Sequence, residues 1–116
     1  MATAWTDVSP ANVTAIGTSE KFSTAVSAGG NERLSGDVKL TTHGTDSVDV
    51  TVYESNDGGT TWAEALTFQI AAGDTDAHDL GLGLTAENIR VGLVASGSTD
   101  TPDASFRIKK TPLNSA

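Results

Sequence analysis

The sequence contains no cysteine, and this absence excludes disulfide bonds and thiolate chemistry. Proline occurs only three times, and aromatic residues make up 5% of the 116 residues. No apolar run approaches the length of a membrane span, and the N-terminus lacks the basic segment and apolar run of a secretory signal. The sequence therefore favours a protein that is made in the cytoplasm and used there or in an assembly built there.

Basic residues are scarce as well. Seven Lys and Arg stand against fifteen Asp and Glu, which gives a formal net charge of −8. Such a field repels nucleic acid and anionic membranes, so neither is an expected partner. Three of the bases, Arg107, Lys109 and Lys110, lie together near the C-terminus. They fit either a solvated final strand edge, where lysine blocks stray pairing, or a docking patch for a partner.

Short alternating segments separated by turn residues recur along the chain, roughly every ten residues, and this spacing is typical of a β-sandwich. The predicted strands are Asn12–Thr18, Lys21–Ser27, Arg33–Thr42, Ser47–Glu54, Thr61–Ile70, Leu80–Leu84, Asn88–Ala95 and Ala104–Lys110. We therefore predict an all-β fold: one antiparallel β-sandwich of about eight strands, either jelly-roll-like or immunoglobulin-like. The predicted organisation is an extended N-terminal arm over residues 1–12, a sandwich domain over 13–111 and a C-terminal tail over 112–116.

Alternation within the strands predicts which side chains face the core. Within each strand, the residues predicted to share one face are Phe22, Thr24, Val26, Leu34, Val38, Leu40, Val48, Val50, Val52, Trp62, Leu66, Phe68, Ile70, Ile89, Val91, Leu93, Phe106 and Ile108. Glu64 falls on the same face as Trp62 and Leu66, and it is the one discordant member of its strand. The segments on either side of Asn56–Gly59 are predicted to form a tight hairpin.

The segment Ser55–Trp62 matches the pattern S-x-D-x-G-x-T-W. In this pattern Asp57 accepts bonds from turn amides, Gly59 takes a positive φ and Trp62 packs behind the hairpin. The motif resembles the Asp boxes of sialidases and other propeller glycosidases, where it recurs once per blade. One copy in a chain too short for a propeller predicts a rigid structural turn and no glycosidase activity.

Few residues offer chemistry. His43 and His78 are the only histidines, and neither has a second ligand at zinc spacing. Asp74 and Asp76 alternate like the start of a calcium loop, but the glycine and the closing glutamate of that loop are missing. A solvated acidic loop over 74–79 is therefore preferred to a calcium site. We predict no enzyme and assign no catalytic, cofactor-binding or metal-binding residue, since no nucleophile turn or phosphate loop is present.

Trp5 lies in a polar segment, where a core position is hard to explain. A large apolar side chain on an arm suits docking onto a neighbouring protein, and Val8 is its nearest apolar companion. The alternative is that Trp5 packs against its own domain. The candidate partner-binding residues are Trp5, Val8, Arg107, Lys109 and Lys110.

The segment Val48–Trp62, with its alternating valines, Ser-Asn-Asp-Gly turn and tryptophan, resembles small structural proteins of tailed bacteriophages. The flanking segments Leu34–Leu40 and Glu87–Val91 fit the same layout. This resemblance implies a β-sandwich of the virion, and first of all a capsid decoration (cement) protein. Its partners would be the major capsid protein or other virion proteins, together with copies of itself, a trimer being one natural geometry.

Two alternatives remain open. One is a tail or head-fibre adaptor, for which Ser96–Asp103 is a candidate for the mobile loop of tail-tube proteins. The other is a carbohydrate-binding sandwich module, which needs a surface aromatic such as Tyr53.

Overall fold

The computed structural model describes residues 5–27, 32–42, 44–83 and 86–112. The strands are β1 (Thr6–Asp7), β2 (Lys21–Phe22), β3 (Val26–Ser27), β4 (Glu32–Thr41), β5 (Val48–Ser55), β6 (Ala63–Ile70), β7 (His78–Asp79), β8 (Asn88–Ala95) and β9 (Asp103–Pro112). None of the described segments is a helix, so this part of the chain offers no helix that could cross a membrane. His43, Leu84, the first four residues of the predicted arm and residues 113–116 of the predicted tail lie outside the described residues.

Two antiparallel sheets make up the fold. One has the strand order β1-β9-β4-β7, and we call it the four-stranded sheet. The other has the order β2-β8-β5-β6, with β3 also paired to β8, and we call it the five-stranded sheet. The predicted all-β antiparallel sandwich is confirmed.

The connectivity is that of a long antiparallel ribbon folded at the β5–β6 hairpin. Moving outward from this hairpin, β4 pairs with β7, then β2 and β3 with β8, then β1 with β9. Successive pairs lie in alternate sheets, so the ribbon rolls around itself. This nesting is the jelly-roll topology, and it decides between the two predicted sandwich types. Since β2 and β3 pair with one strand, they are two halves of a single broken strand.

Strand alternation places the core between the sheets. Inward side chains of β4, β5, β8 and β9 form its centre, and they are at most 6% exposed: Leu34, Val38, Leu40, Val48, Val50, Val52, Ile89, Val91, Leu93, Phe106 and Ile108. Each was predicted to face inward. Because both sheets contribute one apolar row from each central strand, the core is one contiguous cluster.

The first two predicted strands are largely irregular. The segment Asn12–Thr18 contributes only one isolated bridge, from Val13 to Ala104. In Lys21–Ser27 the ladder is interrupted because the Ser23 hydroxyl accepts the backbone N–H of Val91 at 3.0 Å. The interruption changes the phase of alternation: Val26 is buried, whereas Phe22 is 42% exposed and Thr24 also faces solvent. The prediction that these three side chains share one face is wrong.

From Thr6 onward the segment predicted as an arm runs along β9. Val8 donates its N–H to the Ile108 carbonyl at 2.9 Å. Beyond the predicted arm, Ile16 donates to the carbonyl of Pro102, just before β9, at 2.9 Å. Val8 is half-buried and packs against the core. This segment therefore closes one edge of the four-stranded sheet, and it fixes the position of Trp5 relative to that sheet.

Gly36 is required by close packing between β4 and β9. A Cβ at this position would lie 2.5 Å from the Arg107 carbonyl oxygen and 2.8 Å from Ile108 Cγ1. We predict that Gly36→Ala lowers the free energy of unfolding by about 1–3 kcal/mol, the usual cost of overpacking. Urea denaturation measures this. Gly17→Ala is the matched control, since nothing lies within 4 Å of its Cβ, and it should change stability by less than about 1 kcal/mol. Equal effects of the two substitutions would contradict the packing argument.

Candidate functional site

The outer face of the four-stranded sheet holds an open groove of about 580 Å³. Because Ile108 faces the core, alternation turns Arg107 and Lys109 outward into this groove. The side chains that give the groove its chemical character are Trp5, Asp7, Asp37, Asp79, Arg107 and Lys109. We call this surface the Trp5 groove.

Arg107 and Asp37 form an ion pair in the lining of the groove. The Arg107 Nε and Nη2 atoms donate to the two carboxylate oxygens of Asp37 at 3.0 and 2.7 Å. The bonds to Asp37, which lies opposite Arg107 in the β4–β9 register, raise the pKa of Arg107 above its already high ordinary value. The Arg107 side chain is 78% exposed, so this pair adds little to stability but sets the orientation of the guanidinium.

Trp5 lines the groove and is 62% exposed. Lys109 Nζ lies 5.7 Å from the centroid of the indole ring, within the range of a cation–π contact. Asp7 lies opposite Lys109 in the β1–β9 register. Bonds from the Ser9 hydroxyl and the Ser9 N–H to the Asp7 carboxylate lower the pKa of Asp7, so the carboxylate is ionised near neutral pH. The groove therefore combines an exposed indole with charges of both signs.

The structure brings together only part of the predicted partner-binding set. Trp5, Arg107 and Lys109 line one groove, whereas Val8 packs on the core. Lys110 lies two residues after the buried Ile108, so it is on the other side of β9 from Lys109. The three clustered bases are therefore not one patch. Sequence reasoning missed the Asp37 partner of Arg107, because the register between β4 and β9 cannot be read from either strand alone.

The hairpin turn between β5 and β6 is held by one carboxylate. Asp57 Oδ1 accepts the backbone N–H groups of Thr60 and Thr61 at 3.1 and 2.9 Å, and Oδ2 accepts the Thr61 hydroxyl at 2.5 Å. The Ser55 hydroxyl donates to Asp57 at 2.8 Å and accepts the N–H of Gly59 at 2.9 Å. Gly59 has a φ of 89°, a conformation that favours glycine. These bonds, first of all those from Thr61, lower the pKa of Asp57 to about 2.

Trp62 lies on the outer face of the five-stranded sheet, where its Nε1–H donates to the Gly59 carbonyl at 3.0 Å. The ring therefore packs against the hairpin turn and not in the core. A β-bulge between Val52 and Tyr53 changes the pairing from Val52 with Leu66 to Tyr53 with Glu64. Ala65 is the extra residue, and the phase of alternation reverses there. Glu64 and Trp62 consequently face outward, which explains why Glu64 was discordant. The prediction that Trp62 shares a face with Leu66, Phe68 and Ile70 and caps the hairpin end of the core is wrong.

Three aromatic rings surround Arg90 on this outer face. The Arg90 guanidinium carbon lies 4.0 Å from the centroid of Phe22, 4.6 Å from that of Trp62 and 5.6 Å from that of Tyr53. The Arg90 Nε atom is buried without a hydrogen-bond partner among the described residues. The rings therefore stabilise this cation mainly through cation–π contacts. We call Phe22, Tyr53, Trp62 and Arg90 the aromatic–arginine cluster.

Tyr53 is fixed within this cluster by a hydrogen bond. Its hydroxyl donates to Glu20 Oε2 at 2.8 Å, and this bond raises the pKa of Tyr53. The pair sits above Gly92, where a Cβ would lie 2.9 Å from the tyrosine ring. The absent side chain of Gly92 makes room for the ring on the sheet, and the ring contacts Phe22 edge-on at a centroid distance of 5.8 Å.

The two loops with candidate functions are organised by hydrogen bonds. In the acidic loop, Asp74 contacts His78 Nε2 at 2.9 Å and accepts the N–H of Asp76. Across the described ranges, the structure gathers no group of three or more acidic, histidine or cysteine side chains that could hold a metal ion. In Ser96–Asp103, Asp100 accepts three backbone N–H groups of residues 44–46, and Asp46 accepts those of Thr99 and Asp100. The carboxylates of Asp46 and Asp100 thus tie Ser96–Asp103 to residues 44–46.

Comparison with solved structures identifies proteins with the same fold. A subunit of the disulfide-linked pili of Bacillus endospore appendages aligns with a TM-score of 0.63 and 18% identity, over 97% of this chain and 89% of the other. A chain of infectious bursal disease virus, Gx strain, aligns with a TM-score of 0.58 and 15% identity. That match covers 98% of this chain, which spans only 32% of the viral one.

A third structure is chitosan-binding module 1 of a chitosanase/glucanase from Paenibacillus sp. IK-5. It aligns with a TM-score of 0.52 and 17% identity, over 91% of this chain and 93% of the module. No protein-family model matches the sequence. No curated protein sequence matches it either. At these identities the comparisons establish the fold.

The Asp57 carboxylate makes the stability of the folded protein depend on pH. Its pKa of about 2 lies below its ordinary value of 3.8, so its contribution is present above pH 3.8 and is lost as the pH falls through 2. We predict that Asp57→Asn lowers the melting temperature at pH 5 and that the difference from wild type narrows between pH 4 and about pH 2. Melting curves followed by circular dichroism measure this. Asp49→Asn is the control on the same hairpin. The Asp49 carboxylate lies in β5, outside the turn, and accepts a bond from the Gln69 side-chain amide. A difference that stays constant with pH would refute the assignment.

Proposed function

We propose that the protein is a non-enzymatic structural subunit of a tailed-phage virion, and specifically a capsid decoration protein that docks through the Trp5 groove. The observation that carries this proposal is Trp5 itself. Its indole is 62% exposed, next to Lys109 and beside the Arg107–Asp37 pair. Exposed tryptophan and arginine on one face form the composition that dominates the energetics of protein interfaces.

The position of Trp5 supports docking because the residue is held before a partner arrives. The adjoining β1 pairs with β9, and Val8 is anchored to the core through its bond to Ile108. An anchor whose backbone is already fixed loses less conformational entropy on binding than one on a free chain. The Trp5 groove also mixes acidic and basic side chains, which suits a partner surface of complementary charge.

The fold also supports a role in a macromolecular assembly. A pilus subunit and a viral chain align with this fold, and the segment Val48–Trp62 resembles structural proteins of tailed phages. Decoration works by adding contacts across the seams between capsomers, where many copies act together. Modest interfaces therefore suffice when the array is large. In this role the protein would be found in the virion, bound to the major capsid protein.

Binding to undecorated capsids of the encoding phage tests the proposal. We predict that the wild-type protein sediments with the capsids and that Trp5→Ala weakens binding about thirtyfold, the effect of losing about 2 kcal/mol at a hot spot. Lys109→Ser should weaken binding as well. Lys39→Ser is the matched control, since Lys39 is exposed on the same sheet but lies outside the groove. Failure of the wild-type protein to bind capsids would end this proposal.

The aromatic–arginine cluster supports a second candidate function, binding of carbohydrate. Sugar rings stack on aromatic side chains, and the cluster places three rings on one outer sheet face. The chitosan-binding module shows that this fold can accommodate such a role. Tyr53 is the member whose hydroxyl is already oriented, by its bond to Glu20.

A polysaccharide-binding screen that includes chitosan oligomers tests this candidate. We expect wild type to bind, Tyr53→Ala to lose binding and Tyr53→Phe to retain the stacking ring and part of the affinity. Affinity electrophoresis gives the dissociation constants. Absence of binding by wild type and both variants would eliminate carbohydrate recognition, and it would leave capsid docking unaffected because the Trp5 groove lies on the other sheet.

A further inference from the structure

The described part of the molecule has one long free strand edge. At both edges of the four-stranded sheet, and at one edge of the five-stranded sheet, the terminal strands are two residues long: β1, β7, β2 and β3. The remaining edge is β6, which has eight residues and pairs only with β5. A terminal strand of this length presents a row of backbone N–H and C=O groups that can pair with another chain.

The sequence of β6 does not protect this edge. Ala63–Ile70 contains one charged residue, Glu64, and neither lysine nor proline. Leu66 is 39% exposed, and Phe68 is only half-buried. The β-bulge beside Ala65 disturbs the start of the strand, whereas Leu66–Ile70 keeps a regular register with β5. The five residues Leu66–Ile70 are therefore the part of the edge that is suited to pairing.

We propose that a second copy of this chain pairs with Leu66–Ile70 through the same segment, so that two five-stranded sheets join across a two-fold axis. The occupant follows from the edges themselves. Pairing along β6 needs a partner strand of similar length, and among the described residues of a second copy only β6 offers one. A closed trimer would require two different complementary edges, whereas one self-complementary edge gives a two-fold dimer.

The side chains of this segment allow such a register. With Phe68 on the two-fold axis, Leu66 lies opposite Ile70 of the other copy, and Thr67 lies opposite Gln69. Apolar residues then meet apolar ones on the inner face, and polar residues meet polar ones on the outer face, because an even register keeps the faces matched. Glu64 falls outside the paired segment, so no like charges are brought together within it.

The net charge of each copy limits the expected strength of the dimer. Each copy carries a formal charge of −8, and the long-range repulsion between copies opposes association. One pair of edge strands also buries less surface than the interfaces of stable dimers. The dimer should therefore be weak, with a dissociation constant on the order of micromolar to millimolar, and it should strengthen as added salt screens the repulsion.

Sedimentation velocity of the full chain over a range of concentrations tests this inference. Wild type should pass from monomer to dimer as the protein concentration rises. The dimer should form at lower protein concentration in 0.5 M salt than in 0.05 M salt, because the higher salt concentration screens the repulsion between the copies more strongly. Leu66→Lys places a charge on the inner side of the edge, where water reaches it in the monomer but not in the dimer. We expect this variant to dimerise at least about tenfold more weakly.

Thr18→Lys is the matched control, since it adds the same single charge at an exposed position away from β6. It should dimerise like wild type or slightly better. Circular dichroism melting checks that each variant is folded. Trp5→Ala should also dimerise normally, so failure of edge pairing and failure of capsid docking are distinguishable. A wild-type chain that stays monomeric at both salt concentrations, or equal dimerisation of the Leu66→Lys variant, would overturn the inference.

Hydrogen exchange provides a test that needs no variant. Amides on the free side of Leu66–Ile70 should exchange more slowly as the protein concentration rises, while those of β2 and β3 should not change. Concentration-dependent protection confined to another strand would show that the copies associate elsewhere. Protection of β6 only after a protein of different sequence is added would show that the edge receives another partner, and it would equally overturn the two-fold dimer.

Discussion

The bonds of the Asp57 carboxylate to the β5–β6 turn are the local constraint around which the strand pairs of this chain are nested. They fix the point at which the ribbon reverses, and every other strand pair is nested outside that point. A jelly roll closes contacts between the first and last strands across almost the whole chain, as the pairing of Thr6 with Lys110 shows. Such long-range pairing is entropically costly, so a local turn with its own hydrogen bonds limits the registers that the ribbon can adopt.

The sequence is sufficient to predict elements in which alternation continues without interruption. From Val48 to Val52 in β5 and from Ile89 to Ala95 in β8, every second residue is an aliphatic residue of the core. The period of two assigns both the strand and its buried face. The jelly-roll topology is not readable in this way. It depends on which strands pair across the chain, as β4 does with β9, and those contacts leave no mark on either strand alone. Composition therefore predicts the sandwich, and tertiary pairing decides its type.

Prediction fails at two places where one residue breaks the period. At the bulge near Ala65 the chain gains one residue relative to β5, so Trp62 and Leu66 lie on different faces. At Ser23 a side-chain hydroxyl takes the place of a backbone acceptor, and Phe22 becomes exposed. Both interruptions shape the outer face, because they place Phe22 and Trp62 against Arg90. The discordant Glu64 was the one sign of this in the sequence. A single residue out of phase is enough to indicate a bulge, though it does not locate it.

The candidate partner-binding residues also show which features the sequence predicts and which it does not. Alternation alone separates Lys109 from Lys110, so the sequence contains the information that the three bases cannot form one patch. It does not contain the partner of Arg107, because Asp37 is 70 residues away and meets it only through the β4–β9 register. Nor does it reveal that Trp5 is held by β1. The chemistry of the Trp5 groove is thus a product of strand register.

The distribution of contacts leaves the molecule with three separate surfaces: the Trp5 groove, the aromatic–arginine cluster and the β6 edge. The first two lie on different sheets, and the core of aliphatic side chains separates them. The third runs along the border of the five-stranded sheet, where pairing uses backbone groups and leaves the outer faces of both sheets uncovered. A subunit built in this way can contact a copy of itself through one surface while another binds a different partner. Because each surface can be altered by a single substitution outside the buried core, at Trp5, Tyr53 or Leu66, their contributions can be separated.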